Sequence, residues 1–319
     1  MRRILLSIFV VGQLLGLVSS TNAHVGDRVY PIFELTDADL EAIDLQDGSI
    51  GDWLDIVGEP TLSAIEFFAH TALEPYDPAD MDFRLWLAWH DATNRIYAAM
   101  EQADDIYINT YDRSSGNLNM FAQDSGITLS IDGDHSGGVY GGPCCDDTQA
   151  FEFARQVQPY RAIGETIGED PHVVITRLQD LNPGYEYGTW YTQPPYADGG
   201  GRRFGENPVI SVTEFYMTPF DDFIWNSPEE SLVSELSPGR TIGFKVLIAD
   251  RDSKDEFSVS TYFTLPDTEA QPLGQGTSAD FLLDGLLLGP GGAIPEVEDT
   301  AVESITWGRI KASFDKEIP

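Results

Sequence analysis

Strict alternation of apolar and polar side chains marks several stretches of this sequence as β-strands. The clearest is FRLWLAW, from Phe83 to Trp89, in which every second side chain is apolar and all of these share one face. The polar stretch HDATN follows, and RIYAAM then begins at Arg95 with the same period. Two alternating runs joined by a short polar turn are typical of a β-hairpin.

The same period of two recurs along the rest of the chain. Further strands are predicted at DIYINTY, ITLSI, HVVITRL, PVISVTEFYM, IGFKVLI, VSTYFTL and the closing SITWGRIKASF. Many short strands separated by loops rich in Gly, Pro and Asp are typical of packed antiparallel sheets. The sequence therefore predicts an all-β fold, an antiparallel β-sandwich of the immunoglobulin or jelly-roll kind, with a few short helices in loops.

Short helices are predicted where capping residues precede an apolar run. Thr36 with Asp39, and Ser49 with Asp52, have the spacing of capping boxes. Further along, Ser227 is a predicted N-cap for PEESLVSEL. Pro228 suits the first position of a helix, and the two glutamates that follow suit its positive end. DDTQAFEFARQ is the other predicted helix.

The first 23 residues have the parts of a secretory signal peptide. Two arginines lie near the start, an uncharged apolar run extends from Ile4 to Val18, and the small residues Thr21 and Ala23 precede a cleavage site. The run is shorter than the roughly 20 residues that a bilayer-spanning helix needs, which favours cleavage over a membrane anchor. We expect a secreted or periplasmic protein without a membrane span after cleavage. The predicted segments are 1–23 as signal peptide, 24–60 as a region of short helices and 61–319 as the β-sandwich.

Acidic residues dominate the charge of the chain. Its 319 residues include 53 Asp and Glu against 18 Lys and Arg, a formal net charge of −35. A surface this negative repels nucleic acid and favours neutral ligands or divalent cations. The only two cysteines, Cys144 and Cys145, are adjacent. In an oxidising compartment they can form a disulfide with each other, pair between chains or stay free.

Pairs of acidic residues recur at the ends of predicted strands. They are Asp104 with Asp105, Asp132 with Asp134, and Asp250 with Asp252. Oxygen ligands that converge on a loop are what calcium requires, and calcium is abundant outside cells. Asp is also a frequent turn residue, so the pattern leaves a metal site and an ordinary turn both open.

No segment carries an intact catalytic motif. The five histidines are scattered without the spacing of a zinc site. GDHSGG, from Gly133 to Gly138, is similar to the motif around a trypsin-type serine, but the inserted His135 displaces the backbone amides that would form an oxyanion hole. The sequence therefore predicts no catalytic residue.

One loop, GYEYGTWYTQPPYADGGGRRF, combines aromatic and cationic side chains. Its candidate ligand-binding residues are Trp190, Tyr191, Tyr196, Arg202 and Arg203. Aromatic faces can stack on the apolar face of a pyranose, while guanidinium groups donate hydrogen bonds to its hydroxyls, so this loop is a candidate sugar-binding surface. The alternative interpretation is that the aromatic rings close one end of the sandwich as part of its core.

Four blocks of the sequence resemble the family 9 carbohydrate-binding module and the wider group of DOMON-like β-sandwiches. They are FRLWLAWHDATNRIYAAMEQADD, DSGITLSIDGD, IGFKVLIADRD and the closing WGRIKASF, the last similar to the final strand of bacterial proteins with this module. The blocks occur in order between about Thr61 and Phe314 and cover most of the chain. The resemblance implies a β-sandwich that binds sugar and holds calcium.

The resemblance also implies roles for individual residues. It implies calcium ligands among Asp132, Asp134, Asp250 and Asp252. For the tryptophan pair that holds sugar in the family, Phe121 stands near one place and Tyr262 or Phe263 near the other. This chain departs from the family pattern at Thr128, where Glu is usual, and at His90, where an acid is usual.

These observations favour a non-catalytic, extracytoplasmic carbohydrate-binding protein, monomeric and stabilised by calcium, with an oligo- or polysaccharide as partner. Two alternatives stay open. A haem-binding electron-transfer module of the DOMON type would use Met100 or Met120 with a histidine such as His90 as axial ligands. A glycan hydrolase would need two carboxylates about 5 to 10 Å apart, which a chain with this many acids readily offers.

Overall fold

The computed structural model describes residues 24–70, 77–110, 124, 126–137, 154–164, 174–176, 189–252, 261–265 and 278–286. Its helices are α1 (Asp37–Ala42) and α2 (Gly51–Ile56), and short 3-10 helices lie at Ala64–Glu66, Thr189–Thr192 and Pro228–Glu230. Its strands are β1 (His24–Glu34), β2 (Leu62–Ser63), β3 (Phe68–His70), β4 (Met81–His90), β5 (Arg95–Asp104), β6 (Gly126–Asp132), β7 (Gln158–Ile163), β8 (Val174–Thr176), β9 (Ala197–Phe204), β10 (Val209–Met217), β11 (Phe220–Asp222), β12 (Leu232–Val233), β13 (Thr241–Asp250), β14 (Thr261–Leu265) and β15 (Ser278–Leu286).

Hydrogen bonds link the long strands into one continuous path. Its order is β8-β7-β6-β13-β15-β1-β4-β5-β10-β9, with β14 also on β13, β3 on β14 and β2 on β4. The pairs are antiparallel except for β1, which runs parallel to both β15 and β4. β11 and β12 form a separate antiparallel pair.

The two ends of this path fold over each other. Tyr160 of β7 donates a hydrogen bond from its hydroxyl to the carbonyl of Thr218, just after β10. Gly164, just after β7, meets β9 so closely that a Cβ on Gly201 would lie 2.1 Å from the Gly164 carbonyl oxygen. The sheet therefore closes on itself as a sandwich, and the predicted all-β class is confirmed.

Alternate side chains of β4, β5, β6 and β13 meet between the two layers. They are Phe83, Leu85, Leu87, Trp89, Ile96, Ala98, Met100, Ile127, Leu129, Ile131, Ile242, Phe244, Val246 and Ile248, each at most 1% exposed. The period-two prediction is confirmed for all four strands. Full burial of a large apolar side chain contributes about 1.5–3 kcal/mol, and a one-residue slip would turn the whole set outwards, so this register is strongly determined.

A second, smaller core lies on the outer face of β4, β5 and β10. There Trp53 of α2 is fully buried in a cluster with Trp86 and Tyr97, while Leu40 and Ile56 pack at its margin. The Nε1 of Trp86 donates a hydrogen bond of 2.9 Å to a carbonyl beyond the end of α2. Residues 36–58, which we call the helical segment, thus cover an outer sheet face that would otherwise expose Trp86 and Tyr97.

The two predicted capping boxes have different outcomes. Thr36 forms its box with Asp39: the Thr36 hydroxyl accepts the Asp39 N–H at 3.1 Å, and the Asp39 carboxylate accepts the Thr36 N–H at 2.8 Å. At α2 the N-cap is Ile50, without a side-chain hydrogen bond. The Ser49 hydroxyl instead accepts the Gly51 N–H at 3.2 Å, so the second predicted box is absent.

Three further predictions need correction. PEESLVSEL forms only a 3-10 turn followed by β12, because Leu232 and Val233 pair with β11 instead of continuing the turn. DIYINTY forms no strand over its described residues, where Asp104 accepts the Ile106 N–H and bends the chain away. The start of the region predicted as short helices is the strand β1, which pairs with two strands remote in sequence.

Several predictions lie outside the described residues. These are the signal peptide, most of DDTQAFEFARQ, the closing SITWGRIKASF, Phe121, Met120, Cys144 and Cys145. Across the described part of the chain, no helix has the length and apolar character that crossing a bilayer requires.

Candidate functional site

The predicted site residues divide between the two ends of the sandwich. β6 and β13 are antiparallel and pair Asp132 with Gly243, so the end of β6 lies beside the start of β13. Asp132 and Asp250, the last residues of the two strands, therefore lie at opposite ends. Carboxylates gather around Asp250, and aromatic rings gather at the end where Asp132 lies.

The carboxylates around Asp250 form what we call the acidic centre: Asp80, Asp104, Asp124, Asp250 and Asp252. One carboxylate oxygen each from Asp104, Asp124 and Asp250 lie within 4.8 Å of one another, and all three side chains are buried. A second group with the same spacing joins Asp250 to Asp80 and Asp252, which are less buried. Asp250 belongs to both groups and is the central residue of the site.

Backbone amides hold one inner carboxylate of the acidic centre in place. Asp124, just ahead of β6, accepts the N–H of Ile108, and its other oxygen accepts the N–H of Arg251 at 2.9 Å. Asp250 differs, because its Oδ1 is buried and has no hydrogen-bond partner among the described residues. A buried oxygen left in this way calls for a ligand.

Burial raises the pKa values of the three inner carboxyls. The pKa of Asp104 rises to about 7 despite hydrogen bonds from the Ile106 N–H at 2.9 Å and from Gln102 at 3.0 Å. Burial and neighbouring carboxylates raise the pKa of Asp250 to about 8 and that of Asp124 well above its ordinary value. Ionised carboxylates this close together require a compensating positive charge.

The acidic centre fits a hard divalent cation. Calcium takes about six to eight oxygen ligands, preferably from carboxylates and carbonyls, and every side chain of this centre offers carboxylate oxygens. Asp104, Asp124 and Asp250 would hold the ion on the inner side, with Asp80 and Asp252 on the outer side. A bound cation would neutralise the buried charge and give Oδ1 of Asp250 its missing partner.

Asp132 and Asp134 lie at the other end and serve their own loop. The fully buried Asp132 accepts the Gly137 N–H at 2.7 Å and the Ser136 N–H at 3.2 Å. Asp134 accepts the Ser136 N–H at 3.1 Å. Partial burial opposes the ionisation of Asp134, but its hydrogen bonds with Ser136 and Asp132 and the charge of Arg240 outweigh that effect and lower its pKa. The four predicted metal ligands therefore do not converge on one place.

Sequence reasoning missed two members of the acidic centre. Asp80 precedes β4 and Asp124 precedes β6. In an antiparallel sheet, the residue before one strand lies at the same end as the last residue of its neighbour, as Asp124 does with Asp250. An acid before a strand, next to a strand that ends in an acid, is the signal that could have found them.

Aromatic side chains close the end of the sandwich where Asp132 lies. The aromatic cluster, as we define it, consists of Trp190, Tyr191, Tyr196, Phe220, Phe223 and Trp225. Trp190 stacks on Phe223 with 5.2 Å between ring centroids and meets Tyr196 edge-on at 4.8 Å. Its Nε1 donates to the Trp225 carbonyl at 2.9 Å. Offset and edge-to-face contacts of this kind make a rigid assembly.

The rings of the aromatic cluster differ in exposure. Tyr191 is fully buried, contacts Phe223 edge-on at 4.7 Å and donates its hydroxyl to the Pro159 carbonyl at 3.0 Å, so it has the core role that the alternative interpretation described. Trp190, Tyr196 and Trp225 are only partly buried. The cluster is thus both a plug of the core and a partly exposed aromatic surface.

Arg202 and Arg203 are separated from the aromatic cluster. They lie at the far end of β9, five residues or more beyond Ala197, which corresponds to about 17 Å along a strand. Both are exposed; the Arg202 guanidinium lies over the Phe204 ring at 5.1 Å, and that of Arg203 over the Tyr107 ring at 5.1 Å. The structure therefore splits the predicted ligand-binding set.

The candidate positions for the second sugar-holding tryptophan lie on β14, where Phe263 is 3% exposed and meets Phe83 edge-on at 5.3 Å. Phe263 is therefore a core residue.

The haem alternative fails for the pair His90 and Met100. Met100 pairs with Leu85 in the hairpin, five residues from His90 and about 17 Å along the strand, whereas ligands of one iron face each other across it. His90 instead bonds Asp37 at 3.1 Å.

Comparison with known proteins gave matches in structure only. No protein-family model and no curated protein sequence matches the chain. A family 9 carbohydrate binding module from Caldicellulosiruptor kristjanssonii, solved with cellotriose, is similar at 10% identity and a TM-score of 0.48, over 85% of this chain and 100% of that one. A family 9 module from the same organism, solved with glucose, is similar at 11% identity and a TM-score of 0.48, over 83% of this chain and 100% of that one. The likeness concerns the fold alone.

Proposed function

We propose that this chain is a non-catalytic carbohydrate-binding protein of the extracytoplasmic space whose acidic centre binds calcium. The observation that supports sugar binding is the aromatic cluster, in which partly exposed rings rest on a fully buried aromatic base. The sequence blocks that resemble a carbohydrate-binding module support the same proposal.

The sugar-binding surface in this proposal consists of Trp190, Tyr196 and Trp225. Their buried neighbours hold them before a ligand arrives, so little side-chain freedom is lost when a pyranose stacks on them. Polar side chains lie nearby: Arg155 forms a two-pronged ion pair with Asp222 at 2.8 and 2.9 Å. Such a pair offers donors and acceptors to sugar hydroxyls.

Calcium in this proposal has a structural role. The acidic centre lies at the opposite end of the sandwich from the aromatic cluster, so its cation does not touch the sugar. It joins the end of β5, the end of β13 and the residue ahead of β6. Calcium therefore stabilises the fold, and sugar affinity depends on it only through stability.

Binding of the full chain to an array of neutral and acidic glycans tests the sugar proposal. The variant Trp225→Ala removes one partly exposed ring, and we expect at least tenfold weaker binding of the best glycan, about 1.4 kcal/mol. Phe204→Ala is the matched control, because it removes an exposed ring at the far end of β9 and should leave affinity unchanged. Equal loss in both variants, or no retention of any glycan, would overturn the proposal.

The same experiment separates binding from hydrolysis. A non-catalytic protein returns the bound oligosaccharide intact after prolonged incubation, whereas a hydrolase releases new reducing ends. Release that disappears in Asp250→Asn would assign the acidic centre to catalysis instead of calcium binding.

A further inference from the structure

A second buried carboxyl lies away from the acidic centre, beneath the helical segment. Glu214, on β10, is fully buried and stands opposite Ala99 of β5 and Gly200 of β9. The indole Nε1 of Trp53 donates to its Oε1 at 2.9 Å. Its Oε2 is buried and has no hydrogen-bond partner in the part of the chain that the structure describes.

The loop between α1 and α2 closes over Glu214 without spare room. Gln46 donates from its amide to the Gly199 carbonyl at 2.9 Å. A Cβ on Gly200 would lie 2.5 Å from the Leu45 carbonyl oxygen, and one on Gly48 would lie 2.3 Å from the Cβ of Arg202. The glycines of β9 therefore allow the loop to seal the carboxyl from water.

The titratable and charged groups around this carboxyl are mostly acidic. From the helical segment they are Asp47 and Asp52, from β9 Asp198 and Arg202, from β5 Tyr97 and Glu101, and from β10 Tyr216. Burial raises the pKa of Glu214 from 4.5 to about 8, and the nearby Asp52 and Asp47 add to this effect against hydrogen bonds from the Trp53 indole and from the Ser49 backbone. The docked segment thus holds this carboxyl in its neutral form.

We propose that Glu214 is a proton-dependent latch that holds the helical segment on the sheet when it is protonated and loosens the segment when it is ionised. An ionised carboxylate in a sealed site needs water or a cation, and undocking of the loop supplies water. The latch does not depend on sugar binding or on the acidic centre. It controls access to the outer face of the sheet, where Trp53 of α2 packs in one cluster with Trp86 of β4.

The sign of the pH dependence follows from the two protonation states. With the segment undocked, Glu214 ionises near its ordinary pKa of 4.5, and with the segment docked it ionises near 8. Docking is therefore strongest below about pH 4.5, weakens as pH rises to about 8, and levels off above that pH. Even part of this pKa difference makes docking at least about tenfold weaker at pH 8 than at pH 5.

Hydrogen exchange of the full chain, held in saturating calcium between pH 5 and pH 9, tests the latch. The measured quantity is the protection factor of the amides in residues 44–57, relative to unstructured peptides, with β4 and β5 as internal reference. It should fall at least tenfold between pH 5 and pH 8 and then level off. Glu214→Gln should give protection independent of pH. Asp198→Asn, an exposed acid on the same sheet face, should keep the slope of the natural chain.

Two results would overturn the latch: protection that does not change with pH in the natural chain, or an equal decline in Glu214→Gln. If Glu214→Gln fails to fold, a measurement on the natural chain alone still tests the proposal. The NMR signal of the Trp53 indole N–H, bonded to Glu214, should shift with a midpoint near pH 8. A midpoint near the ordinary carboxyl value would refute the proposal.

Discussion

Asp132 and Asp250 end two neighbouring strands with the same Asp-x-Asp pattern, yet their carboxylates have opposite surroundings. Asp132 is fully buried, and its charge is met by two backbone N–H groups of its own loop. Asp250 is 1% exposed, has one oxygen without a partner among the described residues, and lies within a group of other carboxylates. The sequence made both residues candidate calcium ligands, but only Asp250 has the surroundings of a metal ligand.

The difference shows that local pattern does not decide what a buried aspartate does. Asp132 is satisfied by residues four and five positions ahead, which a short loop supplies by itself. Asp250 meets Asp104 and Asp124, which reach it only through strand pairing. A carboxylate whose hydrogen bonds are satisfied stabilises its loop. Carboxylates without such partners repel one another, and a bound cation would remove that repulsion.

The largest expected effect separates the two aspartates by their response to calcium. Under the proposal that calcium binds the folded acidic centre and not the unfolded chain, calcium at a hundred times its dissociation constant should stabilise the natural chain by about 2.7 kcal/mol. For a domain of about 300 residues that is a rise in Tm of roughly 4–5 °C, measured by calorimetry with calcium and with chelator.

Asp250→Asn should lose that rise and Asp132→Asn should keep it. An equal loss in both variants would place the cation elsewhere and remove the basis of the comparison. Magnesium, which demands a smaller octahedral shell, serves as the control cation and should give a smaller rise.

The next effect concerns Asp132 in the absence of calcium. Asp132→Asn weakens two charge-assisted hydrogen bonds and turns an amide N–H₂ towards backbone donors, so we expect a loss of about 1–3 kcal/mol in the free energy of unfolding. Urea unfolding with chelator present measures it. A neutral result would mean that the loop from Gly133 to Gly137 does not depend on this carboxylate.

A smaller change of opposite sign is expected for Asp250 under the same conditions. Without a cation, Asp250→Asn removes one of several buried acids that repel each other, so the variant should be more stable than the natural chain by about 1 kcal/mol at neutral pH. Urea unfolding in chelator compares the two. Destabilisation would show that the ionised carboxylate has a partner of its own.

The smallest effect is expected at Asp134. Its side chain is exposed and its hydrogen bonds stay within its own loop, so Asp134→Asn should change stability by less than about 0.5 kcal/mol with or without calcium. Thermal unfolding of this variant beside Asp132→Asn provides the measurement. A loss of stability in Asp134→Asn that occurs only with calcium present would show that this loop binds a metal ion.

The fold was predictable to a large extent because burial imposes its period on the sequence. In FRLWLAW and IGFKVLI the alternation of apolar side chains identified both the strands and the face that the core covers. β1 escaped prediction because it pairs in parallel with β4 and β15, and its stabilising partners lie far away in sequence. The helix predicted at PEESLVSEL does not form, because Leu232 and Val233 pair with β11.

The candidate sites were predictable only in part. Asp250 and Asp252 stood out by their place after a strand, and Trp190 and Tyr196 by their density in one loop. Asp80 and Asp124 became site residues only through the strands beside them, and Tyr191 proved to be core although its neighbour Trp190 is partly exposed. Sequence shows which residue types are present near a strand end and leaves their partners undetermined.

By itself the sequence determined the class of fold, the strand faces and the strongly acidic character of the chain, because these depend on periodicity and composition. Tertiary structure decided which acids converge, which aromatic rings keep an exposed face, and that Glu214 meets Trp53 across 161 residues. The physical reason is distance. Hydrogen bonding, charge repulsion and burial act over a few ångströms, and only the packing of remote strands brings these groups within that range.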